Sequence, residues 1–149
     1  GVDTYVGGYN TFPTFEMPEM EDKIEFKDGV SAVYINGEEK ATDAPPYIKN
    51  EFMIPLRPLA ETIGMDILWE SDNKCVSLFY PYISAYFDMK AGDIYINAKQ
   101  RTDLNKAEIV NDRTFMPLSA VQAIFGNSIN IENNGDSVSL EFNNNQEEG

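Results

Sequence analysis

The side chains with which this sequence could do chemistry are 25 Asp and Glu, one Cys and eight Tyr, and it contains no histidine. A pair of carboxylates can hydrolyse a glycosidic bond when one is held protonated as the acid and the other ionised as base or nucleophile. The acidic residues that can be placed here fall in turns, on a helix surface or toward the ends, and no pattern brings two of them together. A carboxylate-dependent, glycosidase-like hydrolase is thus the alternative reading, not the first. Without histidine, the usual general base at neutral pH and the usual transition-metal ligand are both missing. Cys75 has no basic partner to draw off its proton, so an inert thiol, partly exposed on the strand face opposite Val76 and Leu78, is expected. One cysteine forms no intramolecular disulfide and no thiolate zinc site. The acidic turns Glu70 to Lys74 and Glu132 to Ser137 offer oxygen ligands for calcium, but neither has the spaced ladder of an EF-hand loop. No catalytic residue, metal or cofactor is expected.

The tyrosines are a different case. Tyr82 and Tyr86 alternate against Ile83, Ala85, Phe87 and Met89, which share the opposite face, and the usual strand rise would set the two rings about 13 Å apart. Tyr34 and Tyr95 alternate against Val33, Ile35, Ile94 and Ile96. Aromatic rings exposed on a sheet can stack on sugar rings or on peptide. Tyr34, Tyr82, Tyr86 and Tyr95 are therefore the candidate ligand-binding residues. The competing expectation is that cross-strand packing alone accounts for them.

These tyrosines lie in a sequence that is written twice. At an offset of 61 residues, Tyr34, Ile35 and Asn36 match Tyr95, Ile96 and Asn97, and Ile48 and Asn50 match Ile109 and Asn111. After a slip of one residue, Pro55, Leu56, Gly64, Ile67, Glu70, Val76, Ser77 and Leu78 match Pro117, Leu118, Gly126, Ile129, Glu132, Val138, Ser139 and Leu140. Self-similarity of this kind marks an internal repeat. In each copy an alternating strand meets a turn, Asn36-Gly37 being a strong hairpin signal. Pro45-Pro46 cannot donate to a ladder and belong to a loop or edge. A helix follows, led by proline and stopped by glycine: about Pro55 to Ile63 before Gly64, and from Pro117 to Phe125 before Gly126. Helices this short are marginal in water and must dock through their apolar stripes: Leu56, Leu59, Ala60 and Ile63 in one, Leu118, Val121 and Phe125 in the other. Two further strands around a polar turn complete each unit.

The fold class predicted is α+β: two tandem repeats of β-hairpin, short α-helix and β-hairpin, with antiparallel sheets packed on the two helices. An irregular arm is expected over 1–22, one unit over 23–80, a connecting strand and second unit over 81–142 packed with the first, and a disordered acidic tail over 143–149. Arg57 is expected to pair with Glu61, and Trp69, sharing parity with Ile67, to lie in the core. A net charge of −14 argues against nucleic acid and anionic lipid, which need clustered Lys and Arg. No apolar run approaches a membrane span. Opening on Gly1, the chain reads as a trimmed product with no signal peptide.

With the Asn36-Gly37 turn, Pro45-Pro46, Asn50, the Met53 to Arg57 stretch, the helix ending at Gly64 and the Trp69-Glu70 pair in view, the chain resembles the copper amine oxidase N-terminal-like domain, or stalk domain, of bacterial cell-surface proteins, over about Lys23 to Phe142. The resemblance implies a non-catalytic extracellular or cell-surface module joined to neighbouring domains; the partner expected, from the aromatic sheet face, is a cell-wall polysaccharide or a surface protein. It does not imply the oxidase, whose copper is held by histidines in a separate domain. The second copy departs from the pattern, with Ala98 for the turn glycine, Lys106-Ala107 for the prolines, Ser119 for Arg57 and Ile131 for Trp69, so two equivalent sites are not implied.

Overall fold

The computed structural model describes residues 23–142; the arm and tail expected at the ends lie outside the described residues. Strands β1 (Lys23–Lys27), β2 (Ala32–Ile35), β3 (Glu38–Ala41), β4 (Tyr47–Lys49) and β5 (Glu51–Pro55) lead to helix α1 (Leu56–Ile63). Next come β6 (Asp66–Glu70), β7 (Cys75–Tyr80), β8 (Ile83–Asp88), β9 (Asp93–Ile96), β10 (Lys99–Gln100), β11 (Glu108–Val110) and β12 (Arg113–Pro117). Helix α2 (Leu118–Phe125), β13 (Ile129–Asn133) and β14 (Ser137–Phe142) complete the order. All the strand pairings are antiparallel, and with two short helices they make an α+β fold.

Turn chemistry explains much of this. Asn36 and Gly37 take φ of 53° and 86° between β2 and β3, the left-handed pair that a tight primed hairpin turn requires and that Asn-Gly supplies at least cost. Between β9 and β10 the same turn is made by Asn97 and Ala98, with φ of 50° and 70°. Alanine there holds a conformation that its Cβ disfavours.

Three sheets form, ordered β10-β9-β8-β7-β6, β11-β12-β5-β4 and β13-β14-β1-β2-β3. In the central one, β5 and β12 pair so that Ile54 lies opposite Met116, Met53 opposite Pro117 and Pro55 opposite Phe115. In the third, the last strand, β14, pairs with the first, β1, placing Leu140 opposite Ile24 and Val138 opposite Phe26. The boundary expected near residue 80 falls in the turn between β7 and β8, neighbours in one sheet.

Each helix begins one residue later than the sequence suggests. Pro55 and Pro117 end their strands in extended conformation, with ψ of 130° and 151°. The fixed proline φ suits a strand end as well as a helix start, so each ring marks the corner itself. Gly64 closes α1 in the left-handed conformation, its N–H donating to the carbonyl of Ala60. The apolar stripes dock as expected: Leu56, Leu59, Ala60 and Ile63 are buried, as are Leu118, Val121 and Phe125. The main core draws on all three sheets and both helices, with Phe26, Phe52, Phe87, Leu59, Val121 and Leu140 at its centre. A smaller cluster of Ala44, Met53 and Phe115, with Tyr47 against it, covers the other face of the central sheet.

The two helix starts are not treated alike. Glu51 on β5 reaches across to α2, where Oε1 accepts from the Ser119 backbone N–H at 2.7 Å and Oε2 from the Ser119 hydroxyl at 2.9 Å. An N-terminal turn exposes unpaired N–H groups and partial positive charge, so a carboxylate suits it. At the corresponding position α1 carries Arg57, whose guanidinium lies 3.6 Å from Glu61, the pairing expected.

Trp69 departs from expectation. It shares the inward parity of β6, yet 44% of it is exposed, because β6 is an edge strand and most of its residues stand out in solvent.

Candidate functional site

The outer face of the sheet β10-β9-β8-β7-β6 carries two of the four candidate tyrosines, Tyr86 and Tyr95. Register lines up Leu68, Ser77, Tyr86, Tyr95 and Gln100 across its five strands. The Tyr86 and Tyr95 rings meet edge to face, centroids 5.6 Å apart, a favourable arrangement for aromatic quadrupoles. The Tyr86 hydroxyl sits 2.8 Å from Cys75 Sγ. The thiol directs its proton to the Asn73 carbonyl at 3.3 Å, so the phenol donates to the sulfur. That hydrogen bond first, then desolvation and the charges of Cys75, Asp88 and Glu70, pushes the Tyr86 hydroxyl up to about 12. Tyr86 is a neutral, oriented ring at neutral pH.

This contact also corrects the reading of Cys75. Parity placed it on an outward face and hence partly exposed; it is buried. Tyr86 bonded to its sulfur and the turn carbonyl of Asn73 take the place of solvent.

Tyr82 is not on the strand face. It occupies the two-residue turn between β7 and β8, after Pro81, with φ of 65° and complete exposure. Proline followed by a positive φ is the combination of a type II turn, where glycine or asparagine is the favoured second residue. Alternation had been extended from Ile83 through a position where the chain has already turned. For a bulky side chain this backbone is an outlier, and such strain is a legitimate pointer to function.

Tyr34 lies apart from the other three, on β2 in the sheet β13-β14-β1-β2-β3, between Glu25 and Glu39. Lys27 Nζ stands 4.4 Å from its ring centroid. The structure thus places Tyr86 and Tyr95 on one sheet, Tyr82 in a turn between two strands of that sheet, and Tyr34 on another sheet. Sequence reasoning passed over Leu68 and Phe79, both exposed on the same outer face as Tyr86. Their signal was the alternation Asp66, Leu68, Glu70 and Cys75, Ser77, Phe79.

Elsewhere several carboxylates are engaged by cations. Arg113 grips Asp43 through two nitrogens, Arg101 grips Asp103 at 2.9 and 3.0 Å, and Lys106 pairs with Asp93. Glu108 accepts from Lys49 and from the Tyr47 hydroxyl, both at 2.5 Å. These donors hold Asp43, Asp103 and Glu108 below their ordinary proton affinities. Burial and the Glu108 carboxylate push the Tyr47 hydroxyl upward. Each displaced carboxyl has moved toward the ionised form, the wrong direction for a general acid. Among the described residues no three His, Cys, Asp or Glu side chains converge as a metal ion would need, and no helix is long and apolar enough to cross a membrane.

Antiparallel sheets braced by two proline-led helices define a small α+β module. The family model of the copper amine oxidase N-terminal domain matches residues 34–140, and the chain belongs to that family. The family is the N-terminal accessory part of such enzymes, not their catalytic part. Neither the curated proteins nor the solved structures contain a match.

Proposed function

We propose that this chain is a non-catalytic accessory module of a cell-surface or secreted protein, and that it binds a wall polysaccharide through Tyr86 and Tyr95 on the outer face of the sheet β10-β9-β8-β7-β6 and Tyr82 in the β7–β8 turn at the end of that sheet. The observation that carries this reading is Tyr82, a fully exposed aromatic in a left-handed turn position. A fold selected only for stability would put glycine there. Sugar rings stack on aromatic faces, and the acidic charge of the chain favours a neutral glycan over an anionic one. The family supports the accessory role, and the likeness of this sequence to stalk domains of cell-surface proteins is what favours an extracellular location.

The proposed architecture is a duplicated unit whose copies exchange strands, 23–80 and 81–142. Strands β6 to β10 take the same order in their sheet that β13, β14, β1, β2 and β3 take in theirs. The β5–β12 register relates the copies about the Ile54–Met116 pair. The one-residue slip of the repeat falls at a hairpin tip: Lys49 and Glu51 flank Asn50 alone, whereas Val110 and Arg113 flank Asn111 and Asp112. These matches support duplication.

The experiment is binding to purified neutral wall polysaccharide by affinity electrophoresis. Tyr82→Gly should abolish or sharply weaken retardation while raising thermal stability, since it removes the ring and the strain together. Unchanged retardation in Tyr82→Gly would refute the site. Release of new reducing ends by the native chain would favour the carboxylate hydrolase instead.

A further inference from the structure

We infer that the edge of β6, which no strand among the described residues covers, is a docking site for an extended segment of another protein, one that pairs with Asp66–Glu70 as an added antiparallel strand and carries basic residues at both ends around an apolar centre. The inference goes beyond the glycan reading and uses a different surface, the rim of the sheet instead of its tyrosine face.

An unpaired strand edge presents backbone donors and acceptors to any incoming strand, and proteins blunt such edges with charge or brevity. The other edges here follow that rule. β3 exposes Glu38, Glu39 and Lys40, β10 has two residues, and β4 and β11 have three each. β13 exposes the charged Glu132 between Asn130 and Asn133. The five-residue edge β6 carries charge only at its ends, Asp66 and Glu70, and exposes apolar surface between them: Leu68 is 61% exposed and Trp69 stands out beside it. No described strand pairs with its outer side.

Charge selects the occupant. Asp66, Leu68 and Glu70 share the outer face, so an added strand meets acid, apolar and acid in turn. A second copy pairing about Leu68 would set Asp66 against Glu70 at both ends, like charges opposite each other, on two chains that each carry a net charge of −14. Residues 1–22 include five acids and no basic residue, so this chain's own arm is equally mismatched. A segment patterned basic, apolar, apolar, apolar, basic satisfies both charges, and covers Ile67, Leu68 and Trp69.

Trp69 is the single tryptophan and reports on the site directly. The test titrates the full chain with a blocked Lys-Val-Leu-Val-Lys peptide and follows tryptophan emission, with amide exchange over 66–70 as a second readout. A saturable blue shift with slowed exchange at those amides is expected. Joint Asp66→Lys and Glu70→Lys substitution should weaken binding about tenfold, the scale of two lost cross-strand charge pairs, and Tyr82→Gly should leave it unchanged. Backbone N-methylation at alternate peptide positions should abolish it. Equal binding of the N-methylated or the Glu-Val-Leu-Val-Glu peptide would overturn strand pairing or charge selection. So would a blue shift on raising protein concentration alone with dimers in light scattering, which makes a second copy the occupant. Tighter binding after deletion of 1–22 would assign the edge to the arm and also overturn the proposal.

Discussion

Exchanging glycine and alanine between the two Asn-led turns should move stability in opposite directions. Ala98 holds φ of 70°, and a residue with a Cβ in the left-handed region pays roughly 1–2 kcal/mol that glycine does not. Glycine adds roughly 0.4–1 kcal/mol of unfolded-state entropy. The difference leaves Ala98→Gly about 0.5–1 kcal/mol more stable than the native chain. Gly37→Ala should lose about the same amount. A Cβ built at Gly37 meets nothing within 4 Å, so collision does not enter and the backbone term stands alone. With a urea slope of about 2 kcal/mol/M for a domain of this size, the midpoints should shift by roughly 0.3–0.5 M, upward for Ala98→Gly and downward for Gly37→Ala. Equilibrium urea unfolding followed by far-UV circular dichroism measures both. An unchanged or lower midpoint for Ala98→Gly would refute the reasoning, as would shifts of the same sign in the two variants.

Two further outcomes follow from named contacts. Glu51→Ala removes the acceptor at the start of α2 and should cost about 1–2 kcal/mol, with faster amide exchange at Ser119; Glu51→Gln, which keeps the acceptor, should cost less. Acid should also destabilise the fold. Lys49 and Tyr47 hold Glu108 below its ordinary value of 4.5, and Arg113 and Arg101 hold Asp43 and Asp103 below 3.8. Because the folded state binds these protons less tightly, the stabilisation is complete above those ordinary values and is lost as pH falls through them toward the folded ones. Melting temperature should therefore hold steady from pH 7 to about 5 and fall below about 4.5, and Glu108→Gln should make the acid limb shallower.

What the sequence revealed, and what it concealed, divides by distance along the chain. Asn36-Gly37, the prolines at 55 and 117 and the glycines at 64 and 126 act within a few residues, so turns and helices were legible. Sheet partners were not. The pairing of β14 with β1 joins segments from opposite ends, and β1 itself went unremarked although Ile24 and Phe26 alternate with charged residues. Parity also misled wherever a strand stopped or lost its neighbour. It carried Tyr82 onto a strand that begins one residue later, assigned Trp69 to a core that an edge strand does not close, and left Cys75 exposed because the ring covering it lies eleven residues away. The Glu51 contact with Ser119 spans 68 residues and has no local signature.

The pairing of β14 with β1 also determines how the molecule bears load. Lys23 lies opposite Glu141, so the two points at which the described chain begins and ends sit on adjacent ribbons, about 5 Å apart. A pull applied there draws them apart sideways and breaks their bonds one after another, like a zipper, instead of shearing the whole row together. Tension between Lys23 and Glu141 therefore loads this one seam before any other part of the described fold.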